Sequence, residues 1–179
     1  GVQTCALPIL TRTISILGAT GSIGASTIDL IRRNRDQWKV VALTANGNAE
    51  ELAALAKELS AEIAVVADES RLPALQSLLF QSHIATAGGA AALTEAASRP
   101  ADITVAAIVG CAGLAPTMAA IEQGKTVALA NKEALVSAGD VMMDAVARHG
   151  MAFIDGSEIL ACTGAAQEHP ARRGRLPPG

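Results

Sequence analysis

Short apolar runs, many of them β-branched, recur along the chain, and between them apolar positions return every three or four residues. The runs predict strands at 13–17, 39–44, 63–67, 83–87, 103–107, 126–130 and 151–154, short and apolar as strands buried on both faces should be. Helices are expected between them. Ile23, Thr27, Leu30 and Ile31 share one helical face, and Leu52, Leu55, Ala56 and Leu59 share another, with Asn48 as a natural N-cap. Pro73 suits the first turn of the helix after Leu72, and Leu135, Met142, Met143 and Val146 form a stripe on the last helix. Strands alternating with helices read as βαβ units, and hence as an α/β fold with a doubly wound, mostly parallel sheet. No internal repeat is visible.

The stretch ILGATGSIGASTIDLI, residues 16–31, carries the first chemical signal. Gly18, Gly21 and Gly24 stand directly after the first strand and at the mouth of the first helix. This is a spaced form of the dinucleotide fingerprint, which makes the fold Rossmann-like. Gly18 would permit the tight turn, Gly21 would admit a pyrophosphate, and Gly24 would let the helix approach the strand. Helix N–H groups and the helix dipole would face the phosphates, and Thr20 and Ser22 would add hydroxyl donors. A glycine turn used only for packing is the plainer reading.

The second strand ends in TANGN, with no acid before Glu50. NAD-binding folds place an acid there for the ribose 2′-hydroxyl, so its absence favours NADPH. No Arg or Lys stands at that tip either. Asn46 and Asn48 could donate to a 2′-phosphate, or serve only as turn residue and N-cap. Further on, the sixth strand ends in ALANKEAL. Ligands of open α/β sheets bind outside the carboxyl ends of the strands, so Asn131, Lys132 and Glu133 fall where a nicotinamide and a substrate would meet. Alternatively, they are an N-cap and a solvated first turn.

The blocks GATGSIG, VVALTANGN, AAIVGCAGL, GKTVALANKEALVSAG and MDAV together resemble 1-deoxy-D-xylulose 5-phosphate reductoisomerase over residues 13–158. The resemblance implies conversion of 1-deoxy-D-xylulose 5-phosphate to 2-C-methyl-D-erythritol 4-phosphate with NADPH and Mg²⁺ or Mn²⁺, on the non-mevalonate route to isoprenoids. It implies cofactor contacts at Thr20, Gly21, Ser22 and Ile23, within the loop that Gly18 and Gly24 frame by the fingerprint, at Asn46, Gly47 and Asn48, and at Asn131 and Glu133. Gly47 stands where the family often has a basic residue. Lys132, Ser157 and Glu158 would touch the phosphorylated sugar, with Lys132 and Glu158 catalytic and Asp155 and Glu158 on the metal. The family's contiguous Asp-Ser-Glu reads FIDGSEIL here, and Gly156 should split the two carboxylates unless it forms a bulge. Cys111 takes a position that is commonly Ala, which implies packing. A family-like homodimer is left open.

Composition narrows the setting. The chain has 179 residues, 50% hydrophobic, with a formal net charge of −3, which gives no broad attraction to nucleic acid or an anionic membrane. Its apolar runs are too broken for a membrane span. Cys5, Cys111 and Cys162 are widely spaced and odd in number, which favours the cytoplasm over a disulfide framework. The chain contains no tyrosine, which excludes the Tyr-x-x-x-Lys chemistry of short-chain dehydrogenases. An aspartate-semialdehyde-type dehydrogenase, with Cys162 in ACTGAA as nucleophile, and a non-catalytic nucleotide-binding module are the remaining alternatives. The expected division is a non-native leader at 1–12, an NADPH-binding Rossmann-like domain at 13–150, the start of a catalytic domain at 151–158, and a non-native or disordered tail at 159–179. On that reading the chain by itself is inactive.

Overall fold

The computed structural model describes residues 11–130, 132–149 and 153–155. Strands and helices alternate through them: β1 (Arg12–Leu17), α1 (Ser22–Arg33), β2 (Trp38–Ala45), α2 (Ala49–Glu58), β3 (Ile63–Val66), α3 (Leu72–Leu79), β4 (Ala85–Gly88), α4 (Ala90–Ala97), β5 (Ile103–Ala106), α5 (Leu114–Glu122), β6 (Thr126–Leu129), α6 (Lys132–His149) and β7 (Phe153–Asp155). The sheet order is β4-β3-β2-β1-β5-β6-β7, and every pairing is parallel. The expected doubly wound α/β sheet is therefore present, and it is wholly rather than mostly parallel.

Burial explains why the strands lack alternation. Every residue of β3 and β5 is buried, as are residues 40–45 of β2. Helices α1, α2 and α3 cover one face through Ile28, Ile31, Leu52, Leu55, Leu75 and Leu79. Helices α4, α5 and α6 cover the other through Leu93, Ala97, Ile121, Met142 and Val146. Among the described residues no helix is long and apolar enough to cross a membrane.

Three expectations need correction. On α1 the buried positions are Gly24, Thr27, Ile28 and Ile31, while Ile23 is 41% exposed and Leu30 is only half-buried. The helix rolls to set Gly24 against the loop before it, and a residue without a side chain leaves no trace in an apolar pattern. On α6, Met142, Ala145 and Val146 are buried but Met143 is 51% exposed. A break from helical geometry at Ala138 (φ −143°, ψ 24°) resets the phase of that helix, and the side chain of Leu135 lies outside the described set. Finally, β4 begins at Ala85 rather than 83, because its length follows its partner: Ile63 pairs with Ala85 and Val66 with Gly88.

The amino-terminal edge of the sheet is tied by a reciprocal contact between β1 and the residue before β5. One carboxylate oxygen of Asp102 accepts from the backbone N–H and the hydroxyl of Thr13, both at 2.8 Å. The Asp102 N–H in turn donates to the Thr13 hydroxyl at 2.8 Å. These donors, the backbone N–H of Thr13 first, hold the Asp102 carboxyl below its ordinary value of 3.8. A carboxyl with a lowered folded pKa contributes stability that is complete above its unfolded pKa and is lost as pH falls through the folded one. Asp102→Asn is therefore expected to lower the urea midpoint at pH 7 and to flatten the loss of stability below about pH 4. An unchanged acid limb in urea titrations would show that this carboxylate contributes nothing.

Candidate functional site

Beyond β1 the chain runs outward through β2, β3 and β4, then returns to the other side of β1 as β5. That reversal opens a crevice at the carboxyl ends of β1 and β5, the place where open α/β sheets take their ligands. A cavity of about 300 Å³ lies there. Gly18, Thr20 and Gly21 form one wall, Thr44, Ala45, Asn46 and Ala67 a second, and Ala107, Ile108 and Val109 a third, with Leu93 and Ala112 completing it.

The glycine loop is held by β2. The Gly18 N–H donates to the hydroxyl of Thr44 at 2.9 Å, and the Ala19 N–H to the Thr44 carbonyl at 2.7 Å. Thr44 is fully buried. The three glycines differ in what a side chain would meet. At Gly18 (φ +93°) a Cβ would lie 2.7 Å from the Ala107 carbonyl oxygen. At Gly24 it would lie 2.5 Å from the Ala19 carbonyl oxygen. At Gly21 only the Gly18 carbonyl oxygen stands within 4 Å, at 3.4 Å. Gly18 and Gly24 thus serve the turn and the helix–strand approach, whereas Gly21 faces open space. Helix α1 starts there with Gly21 as N-cap, no side-chain cap and no acid in its first turn. Its first N–H groups and its dipole form an anion-attracting end beside the cavity. Ser22 is exposed at that end, next to Ile23.

At the tip of β2, Asn46 is exposed and lines the cavity. Asn48 acts as the N-cap: its side-chain oxygen accepts from the Glu51 N–H at 3.2 Å, and its amide donates to the Glu51 carboxylate at 2.6 Å. The tip also carries a cation that the linear reading missed. Arg71, from the turn after β3, donates through Nε to the Gly47 carbonyl at 3.1 Å. Its Nη2 donates to both carboxylate oxygens of Glu50, at 2.7 and 2.9 Å. Parallel pairing makes neighbours of the β2 and β3 tips, with Thr44 beside Val65 and Ala45 beside Val66. The signal that could have found Arg71 is ADESR, which follows β3 directly. The Glu50 carboxyl is held below its ordinary value by its own backbone N–H first and by Arg71 second. Asp68 is lowered mainly by the Ser70 hydroxyl and N–H.

On the other side, β6 ends at Leu129 and the Ala130 N–H donates to the Ala106 carbonyl at 3.0 Å. Asn131 lies outside the described residues. Lys132 and Glu133 open α6 at the same edge of the sheet, but their side chains are outside the described set. Asp155 ends β7 in register with Leu129, which brings its backbone to that edge. Gly156, Ser157, Glu158 and Cys162 lie outside the described residues, as does Cys5. Among the described residues no three His, Cys, Asp or Glu gather as metal ligands. Cys111 is exposed, not packed: it sits in the single turn before α5 rather than in the apolar body of that helix.

The arrangement can seat a dinucleotide, with phosphates at the loop, one ribose at the β2 tip, and the reactive end toward β5 and β6. The anchoring bond is testable. Thr44→Val should strand the Gly18 N–H, cost about 1–3 kcal/mol, and speed hydrogen exchange at Gly18 and Ala19. Thr44→Ser should restore both, and unchanged exchange in the valine variant would show that the hydroxyl does not anchor the loop.

Comparison with known proteins agrees with this geometry. A family model for 1-deoxy-D-xylulose 5-phosphate reductoisomerase matches residues 14–139. The enzyme of that name from Zymomonas mobilis subsp. mobilis is 57% identical over 143 residues, which are 80% of this chain and 37% of that protein. A solved structure of the reductoisomerase from Zymomonas mobilis in complex with NADPH superposes with a TM-score of 0.80 at 56% identity, covering 81% of this chain and 38% of that one. A reductoisomerase structure in complex with NADPH, fosmidomycin and magnesium gives 0.77 at 37% identity, covering 80% and 36%. The chain spans 35–37% of the length of the first two curated relatives it matches. The matches favour the reductoisomerase over a semialdehyde-type dehydrogenase or a bare nucleotide-binding module.

Proposed function

The chain belongs to the 1-deoxy-D-xylulose 5-phosphate reductoisomerase family, and on that premise we propose that it forms the NADPH-binding part of an enzyme converting 1-deoxy-D-xylulose 5-phosphate to 2-C-methyl-D-erythritol 4-phosphate. The observation that carries the proposal is the switch-point cavity, with an uncapped helix start at one wall and open space over Gly21. That opening suits a pyrophosphate, because the uncapped start of α1 stands at Gly21 and its first turn carries no acid.

In this reading Gly18, Thr20, Gly21, Ser22, Ile23 and Gly24 form the phosphate cradle. Asn46 and Gly47 meet the adenosine ribose. Asn48 places the tip by capping α2, since its side chain is engaged with Glu51. Asn131 and Glu133 serve the nicotinamide side, and Lys132 orients the sugar phosphate as a catalytic cation. NADPH supplies the hydride when bound. The protein's part is to fix the nicotinamide beyond the ends of β5 and β6, and the apolar Ala107, Ile108 and Val109 after β5 line the cavity on that side. Mg²⁺ or Mn²⁺ belongs to the family chemistry, with Asp155 and Glu158 as ligands and Ser157 and Glu158 against substrate. Glu158 and the side chain of Asp155 lie outside the described residues. Residues 13–150 constitute the proposed cofactor domain and 151–158 the entry to the catalytic region. The proposed setting is the cytoplasm.

Three experiments test the proposal. Gly21→Val should leave the melting temperature nearly unchanged, since a Cβ is tolerated, and abolish binding of both NADPH and NADH in calorimetry. Asn46→Asp should cut the NADPH-over-NADH preference about tenfold, equivalent to about 1.4 kcal/mol, by repelling a 2′-phosphate. Normal binding by the valine variant would place the phosphates elsewhere. Separately, the 179-residue chain mixed with 1-deoxy-D-xylulose 5-phosphate, NADPH and Mn²⁺ should show no substrate-dependent loss of NADPH absorbance. Oxidation that disappears with chelator and in Lys132→Ala would show that this length of chain suffices for turnover.

A further inference from the structure

The β2 tip poses an electrostatic problem. Its own residues Asn46, Gly47 and Asn48 are neutral, and the charged side chains nearest in sequence are Glu50 and Glu51. Asp68 comes close from the neighbouring strand, with Oδ2 3.7 Å from where a Cβ on Gly47 would stand. Left at that, a 2′-phosphate would meet only carboxylates. Arg71 changes the sign. The Cγ of its stem lies 3.7 Å from the same missing Cβ, so the side chain occupies the face that Gly47 leaves bare. Its head reaches the Gly47 carbonyl, one residue beyond the cavity-lining Asn46.

Resting on the NADPH reading above, we propose that Arg71 is the residue that recognises the 2′-phosphate in this chain. It reaches from the turn after β3 to a tip whose own sequence has no cation, and Glu50 is the internal counter-ion that the phosphate displaces. The guanidinium suits the task. It is planar, remains charged and offers five donors. The contacts to Gly47 and Glu50 use Nε and Nη2, and Nη1 makes no hydrogen bond among the described residues. The Arg71 side chain is 40% exposed and that of Glu50 is 61% exposed. An exposed ion pair of this kind contributes little to stability, so exchanging Glu50 for a dianion is cheap. Glu50 meanwhile keeps Arg71 extended across the tip in the free protein. Asp68 makes no hydrogen bond to the guanidinium among the described residues: its Oδ1 accepts from the Ser70 N–H and hydroxyl at 3.0 and 2.7 Å, and its Oδ2 lies toward Gly47.

The assignment predicts opposite effects from the two halves of the pair. Titrations of the full chain with NADPH and NADH would be run on wild type, Arg71→Ala, Arg71→Lys and Glu50→Gln, with thermal melts to confirm folding. Arg71→Ala should weaken NADPH about tenfold, the worth of one charge-assisted contact, and leave NADH unchanged. Arg71→Lys should recover part of the loss. Glu50→Gln should tighten NADPH without affecting NADH, by removing the competitor. On wild type, 2′,5′-ADP should bind better than 5′-AMP, and the difference should shrink as salt is raised. That arm needs no variant and holds even if Arg71→Ala melts early. An unchanged NADPH-to-NADH ratio in Arg71→Ala, or weaker NADPH binding in Glu50→Gln, overturns the role of Arg71 while leaving the cofactor site intact. Wild type that binds neither dinucleotide overturns the site reading and this assignment together.

Discussion

The first turn of α1 lies directly on the backbone of the loop that feeds it, and most of the site follows from that contact. A Cβ at Gly24 would collide with the carbonyls of Gly18 and Ala19, so the helix can start this close to β1 only because none is there. The approach fixes the roll of α1. Ile28 and Ile31, four and seven residues on, turn into the core, and Ile23 turns out. It also fixes where the helix points, so that an uncapped N-terminus faces the cavity. Thr44 completes the constraint from the other side by receiving the N–H groups of Gly18 and Ala19. A loop held by packing on one flank and by hydrogen bonds on the other needs no ligand to be shaped, which is the preorganisation that binding rewards.

Much of the sheet was legible in the sequence because strands covered on both faces are continuous apolar runs, and β1, β2, β3, β5 and β6 each fall within two residues of such a run. The fold class followed from their alternation with helices. What escaped had physical causes. Gly24 directs a helix face without contributing an apolar position. Ala138 interrupts a helix whose stripe is read as though it were continuous. The length of β4 belongs to β3 rather than to its own residues.

The site was legible in unequal parts. The glycine loop announces itself because turn, approach and helix start are all local. The block around Lys132 could be placed at the correct edge, since strand ends and helix starts are local too. Arg71 could not be placed at all. It stands 24 residues from Gly47 along the chain and next to it only because β2 and β3 run parallel in register. Asn48 had two readings, and the one the structure displays is the cap, its side chain accepting from the Glu51 N–H. Cys111 was assigned to packing because the family commonly has Ala at its position, yet a single tight turn leaves it at the surface.

The central place of β1 has a consequence for how the chain acquires its site. The strand pairs with β2 on one edge and with β5 on the other, and the Thr13–Asp102 contact spans 89 residues of sequence. During synthesis β1 to β4 can assemble while β5 is still unmade, leaving one edge of β1 and one wall of the crevice missing. Such parallel, non-local closure is intrinsically slow and exposes an unpaired apolar edge while it is pending. A dinucleotide cannot assist that interval, because its crevice does not yet exist. It can only trap the chain after β5 has docked, and so would retard unfolding more than it hastens folding.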